Sequence, residues 1–273
     1  MPLCTLHLLA LHNSTPDPLS AFLSTLKSST IKPLVVSRVI RWIILPTKIS
    51  TSHLLSRNIK WDILLILPST DNLPADIAQQ VEHHWSVTAG VPSRLTNDFA
   101  TTNKNLLHPS AASVPPLSDP STQQPTTPSS QALELSTELS TWIAAFLARS
   151  GRESTGPVSM FNLLAFHPGL KPQYLEYGAA FASTVGARHG GCAKIVGNVV
   201  RVHGVEKDDD GWDEIALAHY PSIAHFRDML ASAEYQRVNR RYRLPSLRDT
   251  CILMTSEVGV EEGLGEGRTG ARL

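Results

Sequence analysis

Trp212-Asp213-Glu214-Ile215-Ala216-Leu217-Ala218-His219-Tyr220, then Pro221-Ser222, and later Asp249-Thr250-Cys251-Ile252-Leu253-Met254, decide the fold of this chain. The first run is apolar with interruptions at a period of two, which predicts a strand. Pro221 cannot continue a central ladder, and Ser222 suits the N-cap of the next element. Phe226, Met229 and Leu230 follow at helical spacing. Ser232 is placed to cap a second short helix through Glu234-Tyr235-Gln236. Asp249 to Met254 predicts a strand again, so the stretch reads β-α-β.

Working outward toward the N-terminus, Val158 to Phe166 predicts a strand, and Tyr174, Tyr177, Phe181 and Val185 mark a helix ended by Gly190-Gly191. Ala193 to Val205 predicts the next strand, and Gly197 within it implies a bulge or a close backbone approach. Lys207 to Gly211 predicts a charged turn. The order β-α-β-β-α-β is that of a ferredoxin-like unit. In the other half, strands are expected over residues 3–12, Val35 to Pro46 and Lys60 to Leu67. Asp17-Pro18 starts a helix with Leu19, Phe22, Leu23 and Leu26 on one face. Pro74 opens an expected helix through Ile77, Val81 and Trp85, which leaves no clear fourth strand after Val91.

The two halves resemble each other. Leu6-His7-Leu8-Leu9-Ala10-Leu11-His12 parallels Phe161-Asn162-Leu163-Leu164-Ala165-Phe166-His167, Trp61-Asp62 parallels Trp212-Asp213, and Pro68-Ser69 parallels Pro221-Ser222. Three matches in one order, at corresponding points of one strand-helix plan, point to duplication. The expected fold class is therefore α+β: two tandem ferredoxin-like repeats, over residues 1–97 and 155–260, closing into an intrachain α/β barrel. Between them, residues 98–130 are rich in Pro, Ser and Thr and read as a linker. Residues 131–150 read as an amphipathic helix, with Leu135, Leu139, Trp142, Ile143, Phe146 and Leu147 on one face. Residues 261–273 read as a frayed tail.

Composition excludes several classes. Lys plus Arg and Asp plus Glu number 24 each in 273 residues. That balance gives no basic face for nucleic acid. Cys4, Cys192 and Cys251 are far apart and without CxxC spacing, as for thiols buried in a reducing, cytoplasmic protein. The apolar run from Leu6 to Leu11 is too short for a membrane span and lacks a signal-peptide pattern. No metal site is expected, because Glu82-His83-His84 is contiguous and HExxH is absent. GxGxxG, Walker and GxSxG motifs are absent as well; no cofactor is expected, haem on a single histidine, which needs no local motif, being the alternative.

The second half resembles an uncharacterised small-domain family of the dimeric α/β barrel superfamily. Met160-Phe161-Asn162-Leu163-Leu164-Ala165-Phe166, Tyr174 with Tyr177-Gly178, His189-Gly190-Gly191, Trp212-Asp213, Tyr220-Pro221-Ser222 and Ser232-Ala233-Glu234-Tyr235-Gln236 carry the resemblance, over residues 157–258. It implies an α/β barrel fold without implying one activity. The superfamily includes cofactor-free monooxygenases, cyclases, dehydratases, haem enzymes and members with no known reaction. The chain departs from the pattern at His219, where the family carries Arg, and at His7, which stands at the position of Asn162.

Within that frame the candidate catalytic residues are Asn162, an amide in an apolar strand, and His219, whose ordinary pKa suits acid–base work. Trp212, Tyr220, Tyr177, His203 and Arg241 are the expected substrate-binding residues. Each has a plainer role open to it. Asn162 would tie neighbouring strands, His219 would be a half-exposed strand end, and Trp212 would be core. Arg237, Arg240, Arg241, Arg243 and Arg248 would form a solvated face, or a mouth that attracts a carboxylate or phenolate. The expected function is binding of a small organic molecule, with cofactor-free chemistry on an aromatic or polyketide-like substrate. The alternative is a non-catalytic binding or scaffold barrel. Two repeats in one chain satisfy each other's open sheet faces, so a monomer holding an intrachain pseudo-dimer is expected.

Overall fold

A computed structural model describes residues 1–55, 58–119, 125–203, 205–206 and 211–262. The expected turn at Lys207 to Asp210, and nearly all of the expected tail, lie outside the described residues. The strands are β1 (Leu3–Leu11), β2 (Val35–Ile44), β3 (Ile63–Leu67), β4 (Val81–Gly90), β5 (Val158–Phe166), β6 (Cys192–Val202), β7 (Val205–Glu206), β8 (Glu214–Tyr220) and β9 (Leu247–Ser256). The helices that matter here are α1 (Pro18–Ser28), α2 (Thr51–Leu54), α3 (Phe99–Leu107), α4 (Thr137–Leu147), α5 (Lys171–Ala180), α6 (Ile223–Ala231) and α7 (Ala233–Val238). Their caps follow the sequence. Asp17 accepts from the Ser20 N–H, Ser136 from Leu139, Ser222 from Ala224 and Ser232 from Tyr235.

The strands pair in the order β4-β1-β3-β2-β9-β5-β8-β6, and β6 pairs back onto β4. Every pairing is antiparallel, and eight strands close into a barrel, with the two-residue β7 added beside β6. The β4-β1-β3-β2 run and the β9-β5-β8-β6 run have the same internal order, with β1 and β5 in the same place. Local bonds also correspond. Leu11 N–H donates to Asp62 Oδ2 (2.9 Å), and Phe166 N–H donates to Asp213 Oδ2 (2.7 Å). Asp62 N–H donates to Leu9 and Asp213 N–H to Leu164, while Val39 and Val199 donate to the carbonyls of Asp62 and Asp213.

The runs join at two seams, β2 to β9 and β6 to β4. Gly197 stands at the second, where a Cβ would come within 2.9 Å of the Gly90 carbonyl oxygen. That close approach is what a glycine in this strand implied. Strand alternation divides the side chains into an inside and an outside. Leu6, Leu8, Trp85, Val87, Phe161, Leu163, Ile215, Leu217, Cys251 and Leu253 fill the barrel. Outside, α1 covers Leu9, Leu11, Ile63 and Leu65 of the first half. On the second half, α4, α5, α6 and α7 cover Met160, Tyr220, Ile252 and Met254.

Three expectations are corrected. The predicted helix through Ile77, Val81 and Trp85 is a single turn at Ala75–Ala78 followed by β4. Trp85, Val87 and Ala89 alternate into the barrel, so the true period there is two, and pairing with β1 outweighs the helical spacing. The predicted helix over 131–150 is shorter: Leu133 takes a left-handed φ of 56° and separates a turn at Ser130–Ala132 from α4. Within the expected linker, Phe99–Leu107 is helical, with Phe99, Asn103 and Leu107 buried. Among the described residues no helix is long and apolar enough to cross a membrane.

Candidate functional site

The outer face of β5 carries Met160, Asn162, Leu164 and Phe166 toward the helices. A ring of aromatic side chains packs there. Phe166 meets Tyr174 at a centroid distance of 4.9 Å, Tyr174 meets Tyr177 at 5.4 Å, and Phe181 meets Tyr220 at 6.3 Å. The Tyr177 and Tyr235 hydroxyls share a hydrogen bond of 3.1 Å. Tyr220 donates to the Met229 sulfur at 3.5 Å.

Arg243 stands among these phenols and is 1% exposed. Its Nη1 and Nη2 atoms are buried without a hydrogen-bond partner. Among the described residues no carboxylate forms an ion pair with it. Burial raises the pKa values of Tyr174, Tyr177, Tyr220 and Tyr235, while the Arg243 charge pulls each of them down. Burial prevails, so the phenols stay neutral and put no negative charge against the guanidinium, with the Tyr174 hydroxyl within its hydrogen-bonding reach. A buried cation with free N–H groups and aromatic walls suits a carboxylate or a phenolate.

Two π-helical turns border this place, Phe181–Val185 after α5 and Asn239–Arg243 after α7. Such turns are rare and concentrate at functional sites, where they re-aim side chains. Here one ends on Arg243 and the other begins at Phe181.

The structure brings together only some of the sequence-predicted residues. Tyr177, Tyr220 and Asn162 share the helix-covered face of the second half. The Asn162 Nδ2 donates to the Met160 carbonyl at 2.9 Å, which satisfies it locally. His219 lies on the opposite face of the sheet, in line with Ile215 and Leu217, and is 2% exposed rather than half-exposed. The two candidate catalytic residues, Asn162 and His219, do not meet in one pocket, because their side chains leave the sheet on opposite sides.

Burial, then the charge of Lys194, holds the His219 imidazole down at about 3. It is neutral at pH 7 and a weak base, far from the near-neutral pKa that acid–base work favours. Its Nδ1 is buried without a partner. Around the same end of the barrel, Lys194 pairs with Glu257, and Asn103 Nδ2 donates to Glu257 at 2.7 Å.

Trp212 is core inside the barrel, with Nε1 donating to Ser50 Oγ at 3.1 Å. Arg241 is exposed, stacks over Tyr242, and lines a cleft with Gln236, Arg237 and Arg240 on the outer side of α7. His203 stands apart from the others, beside His84 and His53. Arg243 is the residue that sequence reasoning placed only within a basic crowd. Its spacing carries no signal of burial; the π turn decides it.

No family model matches the chain, and no curated protein does. Several solved structures are similar to it. A protein of unknown function from Rhodopseudomonas palustris is 24% identical, with a TM-score of 0.32, over 42% of this chain and 89% of that one. A provisionally named monooxygenase from Fusobacterium nucleatum is 8% identical, with a TM-score of 0.44, over 93% and 92%. An anthrone oxidase-like protein is 11% identical, with a TM-score of 0.40, over 94% of each chain.

Proposed function

We infer that this chain binds a small organic anion, a carboxylate or phenolate on an aromatic or polyketide-like frame. The ligand is held between the outer face of the second-half sheet and helices α5 and α7. One observation carries the reading: Arg243 is a buried guanidinium with two unpartnered nitrogens and neutral phenols around it. Leaving such a group unpaired costs stability, and a ligand oxygen returns the missing hydrogen bonds. Tyr174, Tyr177 and Tyr220, tilted or edge-on to their aromatic neighbours, supply apolar ring surface for an aromatic frame.

On this reading the two four-stranded runs descend from one duplicated ferredoxin-like unit, and only the second keeps the anion site. The matched Asp62 and Asp213 bonds support that descent. The chemistry in keeping with the site is cofactor-free oxidation of an electron-rich phenol by O2. A CH2 group becomes C=O, one oxygen atom enters the product, and the other leaves as water with both hydrogens. A binding or scaffold role without chemistry is the second reading, favoured by the placement of Asn162 and His219 on opposite faces.

Thermal melting with a panel of aromatic carboxylic acids and polyhydroxylated phenols tests the binding, since a ligand of the folded state raises the midpoint. A rise in the wild type that is absent in Arg243→Met is expected. An equal rise in both proteins, or none across the panel, overturns the reading. Oxygen uptake with the compounds that bind then separates the enzyme from the binder.

A further inference from the structure

One end of the face beneath α5 carries a buried carboxylate that anion binding at Arg243 leaves unused. Glu214 opens β8, and alternation turns it to the helix side with Ala218 and Tyr220, while Ile215 and Leu217 enter the barrel. It is 6% exposed. Lys171, the first residue of α5, places Nζ 2.9 Å from Glu214 Oε2, and the same Nζ donates to Asn198 Oδ1 at 2.6 Å. That Nζ also stands over the Phe166 ring, 5.4 Å from its centroid. Tyr174 lies one turn further along α5. After burial and the neighbouring Tyr177, Arg243 pulls the Tyr174 pKa down and Glu214 pushes it up, so both charges lie in range of one phenol. Lys171 and Tyr174 are half-buried and Asn198 is exposed, so this end opens toward solvent.

The fold does not require a carboxylate at this position. Glu214 follows Trp212-Asp213 and pairs with Leu164, just as Ile63 follows Trp61-Asp62 and pairs with Leu9. Ile63 is fully buried and fills the equivalent place in the first half with apolar surface. Burying a carboxylate costs solvation that its cation repays only in part, and exchange for hydrophobic residues is often neutral or stabilising. Glu214 occurs in the half that also buries Arg243.

We propose that Glu214 is the second recognition group of the Arg243 site, and that the ligand is an aromatic monoanion carrying a hydroxyl away from its acid group. This role presupposes anion binding at Arg243 and defines what the other end of the anion offers. A carboxylate accepts hydrogen bonds and donates none, so it selects a ligand group that donates. Lys171 already meets its charge, which makes a neutral O–H a better partner than a second cation. The charges agree: Arg243 and Lys171 against Glu214 leave one positive charge among neutral phenols, which suits one negative charge on the ligand. A hydrogen bond to an ionised acceptor is stronger than one between neutral groups. A site built to bond a hydroxyl therefore discriminates against the analogue that lacks it.

The test is calorimetric titration of the full chain with three acids: naphthoic acid, a hydroxynaphthoic acid with its hydroxyl on the ring away from the carboxylate, and the corresponding methoxynaphthoic acid. The hydroxy acid is expected to bind about tenfold or more tighter than naphthoic acid. The methoxy acid, similar in shape but without a donor, is expected to bind no tighter than naphthoic acid. Glu214→Ile, which copies the first half, is expected to keep naphthoic acid binding and to lose the preference for the hydroxyl. Arg243→Met is expected to lose binding of all three. Thermal melts establish that each variant is folded, and the comparison of the three acids on the wild type stands without any variant. Equal binding of the hydroxy acid and naphthoic acid, equal binding of the hydroxy and methoxy acids, or a preference that survives in folded Glu214→Ile overturns the role of Glu214. In those cases the anion site itself still stands if Arg243→Met abolishes binding. No binding of any of the three acids to the wild type overturns both.

Discussion

Replacing Arg243 with methionine is expected to make the ligand-free protein more stable. The arginine is 1% exposed, and both terminal nitrogens are buried without partners. Each buried donor left unmade costs about 1–3 kcal/mol, and more when charged. Methionine keeps most of the apolar stem and removes the charge, so it loses little packing. Exchange of buried charges for hydrophobic residues has stabilised other proteins by about 1–4 kcal/mol. A net gain of about 2 kcal/mol is therefore expected, which corresponds to a rise in Tm of roughly 4–8 °C for a chain of this size. Urea unfolding and thermal melting of the two proteins measure it. The same substitution abolishes the ligand-induced rise in Tm, so stability and binding move in opposite directions. A loss of 1 kcal/mol or more in the variant would refute the reasoning, because it would mean that Arg243 holds the fold together.

Acid is expected to weaken the fold in a window set by two buried histidines. His7 and His219 are each held down at about 3, chiefly by burial. Their folded values lie below the ordinary 6.5 of an unfolded imidazole, so the unfolded chain takes up protons that the folded chain refuses. Stability is complete above about pH 6.5 and falls as the pH drops from there toward 3. At pH 5 the loss is about 2 kcal/mol per histidine, from 1.5 pH units at about 1.36 kcal/mol each. Urea midpoints at pH 7 and pH 5 check this, and a flat profile contradicts it. Sedimentation at micromolar concentration is expected to give a monomer of 29.8 kDa, since both seams close within the chain; a stable dimer contradicts that.

What the sequence made legible, and what it hid, follows from the range of the forces involved. Strands β1, β5, β8 and β9 are written in local patterns of apolar residues, and the caps at Asp17, Ser222 and Ser232 are local hydrogen bonds. Those were readable. β4 was not, because Val81, Trp85 and Ile77 also fit a helix; only pairing with β1 on one side and β6 on the other selects the strand. The sites are hidden more deeply for the same reason. Alternation orders the side chains within each strand, but only the register of β5 against β8 puts Asn162 and His219 on opposite faces. Arg243 becomes buried through a π turn, a distortion with no composition signal. His7 occupies in β1 the place that Asn162 occupies in β5, each on the helix side of its strand. In the second half that place lies beneath tyrosines and a cation, whereas in the first it begins a line of imidazoles.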